Sequence, residues 1–163
     1  MIPIRDAKQE DYPSILALNA GSVHFLSPMD EARLSCLARA ACYFRVIEKG
    51  NQVAAFLMAF RKGADYDSPN FLWFEKHLDD FVYIDRIVIH AEFRGQGLAK
   101  IFYRDVEKIA SSLHVSRLTC EIDIDPPNPI SLAFHDGWGF REVGQQALYD
   151  GRKTVSLREK LLL

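Results

Sequence analysis

The fold of this chain is decided by the stretch Arg94-Gly95-Gln96-Gly97-Leu98-Ala99. It follows an apolar run over residues 81–89 and opens a helical pattern over residues 98–113. Glycines accept positive φ and let a ligand approach the backbone closely. The first N–H groups of a helix have no internal partner and lie at the positive end of its dipole. With the fixed charge of Arg94, a strand, a glycine turn and a helix start predict a cradle for a phosphate-bearing cofactor.

Two better-known glycine motifs do not match this stretch. A P-loop requires Gly, four residues and then Gly-Lys-Ser/Thr, which is absent here. A dinucleotide fingerprint requires a third Gly or Ala where Lys100 stands, and it normally opens a domain. On the hexapeptide alone, a tight connection between a strand and a helix remains the alternative interpretation.

Composition narrows the class of protein. The 163 residues predict one domain over 1–163, and 48% hydrophobic residues allow a sizeable core. A net charge of -2 gives no electrostatic case for nucleic acid or an anionic membrane as partner. Cys36, Cys42 and Cys120 lack metal-ligand spacing, so we expect no metal site. No apolar run has transmembrane length and no signal peptide is evident, so we expect a soluble cytoplasmic protein.

The periodicity of the chain predicts seven strands with helices between them. Strands are predicted over 2–5, 43–48, 52–61, 81–89, 117–124, 140–149 and 154–159. Lys49-Gly50-Asn51 and Asp150-Gly151 indicate hairpin connections. Ser27 and Pro28 indicate one helix start, and Asn128 with Pro129 indicates another that Gly139 ends.

Two segments interrupt this regular pattern. Residues 63–80 are rich in aromatic residues and read as an irregular insert, either a loop packed at the core edge or a lid that faces the substrate. Asp85 and Arg86 place two adjacent charges in the strongest strand. A β-bulge, which re-aims side chains and frees backbone groups, is one local cause for them.

Three motifs in order resemble the GNAT superfamily of N-acetyltransferases, over most of the chain. Residues 94–99 match the Arg/Gln-x-x-Gly-x-Gly/Ala signature of that superfamily, and Cys120-Glu121-Ile122 lies on the following strand. The third is Asn128-x-x-Ser131-x-x-Phe134-His135-x-x-Trp138-Gly139-Phe140. The resemblance implies an α+β fold with an α/β mixed sheet in a three-layer sandwich, splayed between the fourth and fifth strands, with acetyl-CoA in the split.

The resemblance also implies the residues that hold acetyl-CoA. Its pyrophosphate would lie on residues 96–99 and its pantetheine arm beside the central strand, as in strand addition. Asn128 would bond the arm, in competition with its capping role, and Phe134 would pack on it. The expected cofactor-binding residues are Ile87, Val88, Ile89, Arg94, Gly95, Gln96, Gly97, Leu98, Ala99, Asn128, Ser131 and Phe134.

Acetyl transfer to an amine requires a neutral amine, a stabilised oxyanion and a protonated leaving thiolate. Glu121 is the first candidate base, because part of the superfamily uses a Glu at this motif position. A Glu paired with Arg or facing solvent is the alternative. Asp85 is the second candidate base, and an ion pair or a hydrogen bond that stabilises a bulge is its alternative.

His135 is the candidate general acid, at the position where the superfamily usually has Tyr. A histidine of pKa ~6.5 is only partly protonated at pH 7, whereas a tyrosine near 10 always donates. A helix histidine that hydrogen-bonds the core is the alternative. Cys120 is not expected to act as nucleophile, since it neighbours Glu121 and takes the opposite face.

The sequence therefore predicts an acetyl-CoA-dependent N-acetyltransferase that acts on a primary amine by direct attack in a ternary complex. The acceptor is a small molecule or a protein amine. A catalytically weak acyl-CoA-binding or regulatory module on the same fold is the alternative, and a nucleotide-binding module of another family is a third. Apolar edges on the late strands and the insert indicate a homodimer as a further expectation.

Overall fold

The computed structural model describes residues 2–23 and 26–163. Its seven strands form one mixed sheet in the order β1-β2-β3-β4-β5-β7-β6. The elements of this described part are β1 (Ile4–Asp6), α1 (Tyr12–Ala20), α2 (Glu31–Ala40), β2 (Tyr43–Lys49), β3 (Gln52–Arg61), α3 (Pro69–His77), β4 (Val82–Ile89), α4 (Leu98–Ser112), β5 (Arg117–Asp125), α5 (Pro129–Trp138), β6 (Arg141–Leu148) and β7 (Lys153–Leu161). The predicted α/β class with a mixed sheet is confirmed.

The chain divides into two compact units, and the first comprises Met1–Phe60 and Ile84–Ile109. In this unit β1 and β3 both pair antiparallel with β2. Gly50 and Asn51 join β2 to β3 with φ of 57° and 64°, which is the positive-φ geometry of a two-residue hairpin loop. The hairpin predicted at this position is confirmed.

The second unit comprises Arg61–Tyr83 and Ala110–Leu163. Here the start of β4 runs parallel to β5, with Val82 opposite Leu118 and Tyr83 opposite Thr119. β5 pairs antiparallel with β7, which pairs antiparallel with β6. The chain of β4 passes from this unit to the first after Tyr83, and the predicted opening between β4 and β5 stays a prediction.

Residues 63–80 are not the irregular insert that the sequence suggested, because α3 occupies Pro69–His77. Ser68 is its N-cap, with a side chain that accepts from the N–H of Phe71, and Pro69 stands in the first turn. The helix buries Phe71 and Phe74 completely. Whether this segment faces a substrate stays a prediction.

The start of α2 also differs from the prediction of Ser27 as cap. Asp30 caps the helix instead, since its Oδ1 accepts from the N–H of Arg33 at 2.7 Å. Ser27 lies outside the helix, and its carbonyl accepts from the side chain of Asn19 at 3.1 Å. The helix is therefore capped by the carboxylate of Asp30, directly before Glu31, and not by the predicted pair of Ser27 and Pro28.

No helix in residues 2–23 and 26–163 is long and apolar enough to cross a membrane. Strand β6 lies at one edge of the sheet, and an edge strand presents unpaired backbone groups. The homodimer expected from the late strands stays a prediction.

Candidate active site

The turn before α4 has the backbone that the glycine motif predicts. Gly95 and Gly97 have φ of 74° and 81°, in the left-handed region that side chains disfavour. A Cβ built at either glycine meets nothing within 4 Å. The glycines are therefore required by backbone conformation and not by a neighbour, and the space above each is open.

Gly97 is also the residue that caps α4. Its carbonyl accepts the first helical bond, from the N–H of Ile101 at 3.2 Å. Because glycine has no side chain, the capping residue supplies no oxygen for the N–H groups of Leu98, Ala99 and Lys100. The first turn of α4 contains no acidic residue, and residues 94–97 are exposed. This helix start therefore has the geometry and the charge to take an anion.

Lys49 contacts this turn from β2, and the sequence analysis missed it. Its ammonium group donates to Oε1 of Gln96, and it also lies 5.6 Å from the ring centroid of Phe93. The Nε2 of Gln96 donates to the carbonyl of Glu92 at 3.4 Å. Lys49 ends β2, so only the folded hairpin brings this second cation beside the glycines. No local sequence signal connects residues 49 and 96.

Arg94 directly precedes Gly95 of the turn. Its Nε donates to the carbonyl of Ile89 at 3.3 Å, which ties the side chain to the end of β4. The residue as a whole is exposed. In the same strand Val88 is buried, whereas Ile87 and Ile89 are partly exposed, so the strand keeps the alternation of a two-sided sheet. The predicted contact of these three residues with a pantetheine arm stays a prediction.

Asp85 forms the ion pair that was its alternative interpretation. Its Oδ2 accepts from Nε of Arg86 at 2.6 Å, and the two side chains are only 6% and 5% exposed. Nη1 of Arg86 also donates to Oδ1 of Asn19 at 3.0 Å and to the carbonyl of Ser27 at 3.3 Å. This network accounts for two adjacent charges in a central strand. A proton on Asp85 would weaken it, which argues against Asp85 as the base.

In the second unit Glu121 has a different environment. Its residue is partly exposed, and its Oε2 accepts from the hydroxyl of Tyr83 at 2.6 Å. Tyr83 itself is completely buried. The short bond to a buried phenol holds the Glu121 carboxylate in place, which is a requirement for a general base.

Cys120, beside Glu121, has the properties of a core residue. It is 3% exposed, and burial raises the pKa of its thiol well above the usual value, with the charge of Glu121 adding to the shift. The thiol therefore stays protonated at neutral pH. This agrees with the expectation that it is not a nucleophile.

The start of α5 confirms the predicted cap. Oδ1 of Asn128 accepts from the N–H of Ser131 at 3.3 Å, and the N–H of Asn128 donates to the carbonyl of Asp123 at 3.0 Å. Further along the helix, Phe134 stacks on Trp138 with ring centroids 5.8 Å apart and planes 11° apart. The roles of Asn128, Ser131 and Phe134 toward a cofactor stay predictions.

His135 is 5% exposed, and its Nδ1 lies 2.7 Å from the carbonyl oxygen of Ser131. Since that oxygen only accepts, Nδ1 carries the proton of the neutral ring. Burial lowers the pKa of His135 to about 4. A neutral ring with its N–H engaged by Ser131 is a poor proton donor at pH 7. The acid role stays a prediction, and this geometry gives it little support.

Comparison with known proteins now supplies the family. A model of the Acetyltransferase (GNAT) family matches residues 3–140. The chain belongs to this family. Its general reaction is acetyl transfer, and the matched segment contains the glycine turn, Glu121 and His135. Among curated proteins, none matches this sequence.

Several solved structures share the fold across nearly the whole chain. The Ard1 protein of Thermoplasma volcanium superposes with a TM-score of 0.80 at 15% identity, over 99% of this chain and 97% of its own. Chaetomium thermophilum Naa20, in complex with a bisubstrate analogue, gives 0.78 at 16% identity over 99% and 87%. The ribosomal-protein-S18-alanine N-acetyltransferase of Escherichia coli gives 0.73 at 15% identity over 99% and 94%. At these identities the likeness establishes the fold alone.

Proposed function

We propose that this chain is an acetyl-CoA-dependent N-acetyltransferase that transfers an acetyl group to a primary amine by direct attack in a ternary complex. The observation that carries the proposal is the turn before α4. Two positive-φ glycines and a helix start capped by Gly97 leave backbone N–H groups for a diphosphate. Family membership supports the reaction class.

We assign binding of the cofactor diphosphate to the first unit. Residues 95–99 would hold the diphosphate through backbone N–H groups, and the cations of Arg94 and Lys49 would add charge at the same turn. The exposed edge of this turn fits a large, hydrated anion better than a buried one. Acetyl-CoA supplies the activated acetyl thioester when it is bound. The backbone of Ile87, Val88 and Ile89 is the proposed partner of the amide-bearing arm.

We assign removal of the amine proton to the second unit. At pH 7 a lysine amine is roughly 0.1% neutral and an α-amine about 10% neutral, so a base increases the reactive fraction. Glu121 is the proposed base, because its carboxylate is held by Tyr83 while the residue is partly exposed. As the C–N bond forms and the C–S bond breaks, the amine proton passes to Glu121.

The leaving thiolate then needs a proton. His135 is a weak candidate for its source, since burial keeps its ring neutral and Ser131 takes its N–H. Thiols ionise near pH 8.5, so a released thiolate takes a proton from water at neutral pH without an enzymic acid. The proposed mechanism accordingly has one essential side chain for proton transfer.

The acceptor is proposed at the level of an amine class. One of the structural relatives is named as an N-acetyltransferase of an alanine in ribosomal protein S18, and this suggests peptide α-amines as the first substrates to assay. An α-amine also needs less help from a base than a lysine amine. Small amines and lysine peptides complete the panel.

The deciding experiment measures free thiol release from acetyl-CoA over this panel, with the acetylated product identified by mass spectrometry. We expect turnover with at least one amine class. Glu121→Gln removes the base and should lower kcat by about 100-fold or more. Glu142→Gln is the matched control, because that carboxylate bonds Ser156 and Gln145 and should leave kcat unchanged. Equal effects of the two variants would contradict the role of Glu121.

A second candidate function is an acyl-CoA-binding or regulatory module without turnover. The neutral ring of His135, at the position where the family pattern has Tyr, favours it. Calorimetry would then detect acetyl-CoA binding while no amine on the panel is acetylated. Loss of binding altogether would defeat both functions.

A further inference from the structure

We propose that Tyr83 is a positioning residue for Glu121: its buried hydroxyl orients the carboxylate and keeps it ionised, ready to accept a proton. This inference rests on the proposed role of Glu121 as base. It adds a residue on another strand that no motif in the sequence contains. The bond that carries it runs from the Tyr83 hydroxyl to Oε2 of Glu121, at 2.6 Å.

The position of the hydroxyl is fixed by packing. Tyr83 is 0% exposed, and its ring lies 5.7 Å from Phe71, 5.9 Å from Phe74 and 6.5 Å from Tyr66, measured between ring centroids. A ring enclosed by aromatic neighbours cannot swing its hydroxyl to another partner without disturbing the core. Since a buried tyrosine hydroxyl needs a hydrogen-bond partner, the carboxylate and the phenol stabilise each other.

The sheet brings the two side chains together. In the parallel register of β4 and β5, Tyr83 lies opposite Thr119. Glu121 follows two residues later and therefore projects from the same face as Thr119. The bond is thus built into strand pairing and does not depend on a loop.

The charge of the donor decides the direction of the effect. A phenol that donates to a carboxylate favours the ionised form of that carboxylate. A length of 2.6 Å is typical of a charge-assisted O–H···O bond. Tyr83 therefore stabilises the ionised form of Glu121, which is the form that accepts a proton.

Other charged groups near this face are engaged with partners of their own or are exposed. On β5 and β7, Asp123 pairs with Lys153 at 3.1 Å, and Glu159 pairs with Arg117 and Arg141 at 2.9 Å each. On α3, Glu75 accepts from the N–H of Gly63, His77 bonds the carbonyl of Trp73, and Lys76 is exposed. The bond from the hydroxyl of Tyr83 to Glu121 can be removed by a single conservative change.

The first test does not need turnover. In full-length protein labelled with ¹³C at the Glu side-chain carboxyl, the Glu121 resonance is identified by its loss in Glu121→Gln and followed through a pH titration. Tyr83→Phe keeps the ring and removes the hydroxyl. We expect its titration midpoint to rise by about one pH unit, from the usual strength of a hydrogen bond to a charged group.

The matched control is Tyr43→Phe. Tyr43 is also buried, at 3% exposure, and its hydroxyl also donates to a carboxylate, Oδ2 of Asp105 at 2.8 Å. This change should leave the Glu121 midpoint in place. An unchanged midpoint in Tyr83→Phe, or an equal shift in Tyr43→Phe, would overturn the inference.

The second test uses acetyl transfer. The acidic limb of the kcat/KM profile of Tyr83→Phe should move to higher pH by the same amount, with the KM for acetyl-CoA unchanged. In the Glu121→Gln background the Tyr83 change should have no further effect on the pH profile. A wild-type enzyme without turnover would defeat the proposed function, whereas a midpoint that does not move would defeat the inference alone.

Discussion

Helices α4 and α5 begin in opposite ways. Gly97 caps α4 without a side chain, and the exposed turn before it leaves the first N–H groups of the helix without a capping oxygen from that residue. Asn128 caps α5 with its own Oδ1, and the carbonyl of Ser131 in the same turn accepts from Nδ1 of His135. The comparison shows that the start of α5 is satisfied by its own chain, whereas the start of α4 is left open to solvent or to an anion.

The largest expected effect concerns His135, a buried residue of α5. His135 has a pKa of about 4 in the folded protein, against an ordinary 6.5. The unfolded chain therefore binds more protons between these values, and the stabilisation present above pH 6.5 is lost as the pH falls towards 4. At pH 5 the loss should be about 2 kcal/mol relative to pH 7.5.

The measurement is urea unfolding at pH 7.5 and pH 5 for the wild type and His135→Gln, whose amide can bond Ser131 without titrating. Other groups titrate equally in both proteins, so the difference between their pH dependences isolates His135. Equal pH dependences would mean that the pKa of His135 is the same in the folded and unfolded states, which would restore it as a candidate acid.

The next effect tests the outward-facing start of α4. Gly97→Ala places a side chain at φ of 81°, so the turn must relax or carry strain of roughly 1–2 kcal/mol. We expect acetyl-CoA affinity to fall about tenfold by calorimetry, because binding must restore the original turn.

Gly137→Ala is the matched control in α5. Gly137 is also exposed and also has no atom within 4 Å of a built Cβ, but it lies inside a helix. The change should stabilise the fold by about 0.5–1 kcal/mol and leave affinity unchanged. Equal acetyl-CoA affinities in Gly97→Ala and Gly137→Ala would show that the diphosphate does not bind at the glycine turn.

A smaller effect separates two roles of Asn128. Asn128→Ala removes the cap and should cost about 1 kcal/mol of unfolding free energy. Asn128→Asp keeps a capping oxygen and loses the amide donor, so stability should persist while acetyl-CoA affinity falls about fivefold. Unchanged affinity in the Asp variant would show that Asn128 serves the helix alone.

The smallest effect concerns Lys49, a cation at the edge of the turn. Lys49→Met should weaken acetyl-CoA binding about threefold and flatten its dependence on salt, as expected for a partly exposed charge. Lys108→Met makes the same charge change at an exposed position of α4, and it should alter neither quantity. Equal salt slopes in the two variants would exclude Lys49 from the anion site.

Local signals in the sequence were sufficient for much of the fold. The glycine turn, the cap at Asn128 and the hairpin at Gly50 each depend on residues within a few positions, and each is present in the structure. Residues 63–80 were misread because their aromatic and proline content masked the Ser68-Pro69 helix start. At α2, the choice between the caps Ser27 and Asp30 depends on where the first helical turn forms, and the structure begins the helix at Glu31, directly after Asp30.

The parts of the site that escaped prediction depend on distant contacts. Lys49 meets Gln96 and Tyr83 meets Glu121 only through the strand order of the sheet. The pKa of His135 depends on burial, which residue type does not reveal, so a tyrosine-like acid role was inferred from position alone. The family signature locates candidate atoms, and the folded surroundings decide their protonation.

Strand β6 contains one position whose amino acid is dictated by another element. A Cβ built on Gly144 would lie 2.7 Å from the indole of Trp73 on α3, so any larger residue must displace that ring. A larger residue at position 144 therefore requires either a displaced indole or a smaller residue at position 73, so the two positions are coupled during divergence. Libraries meant to reshape α3 should vary both codons together.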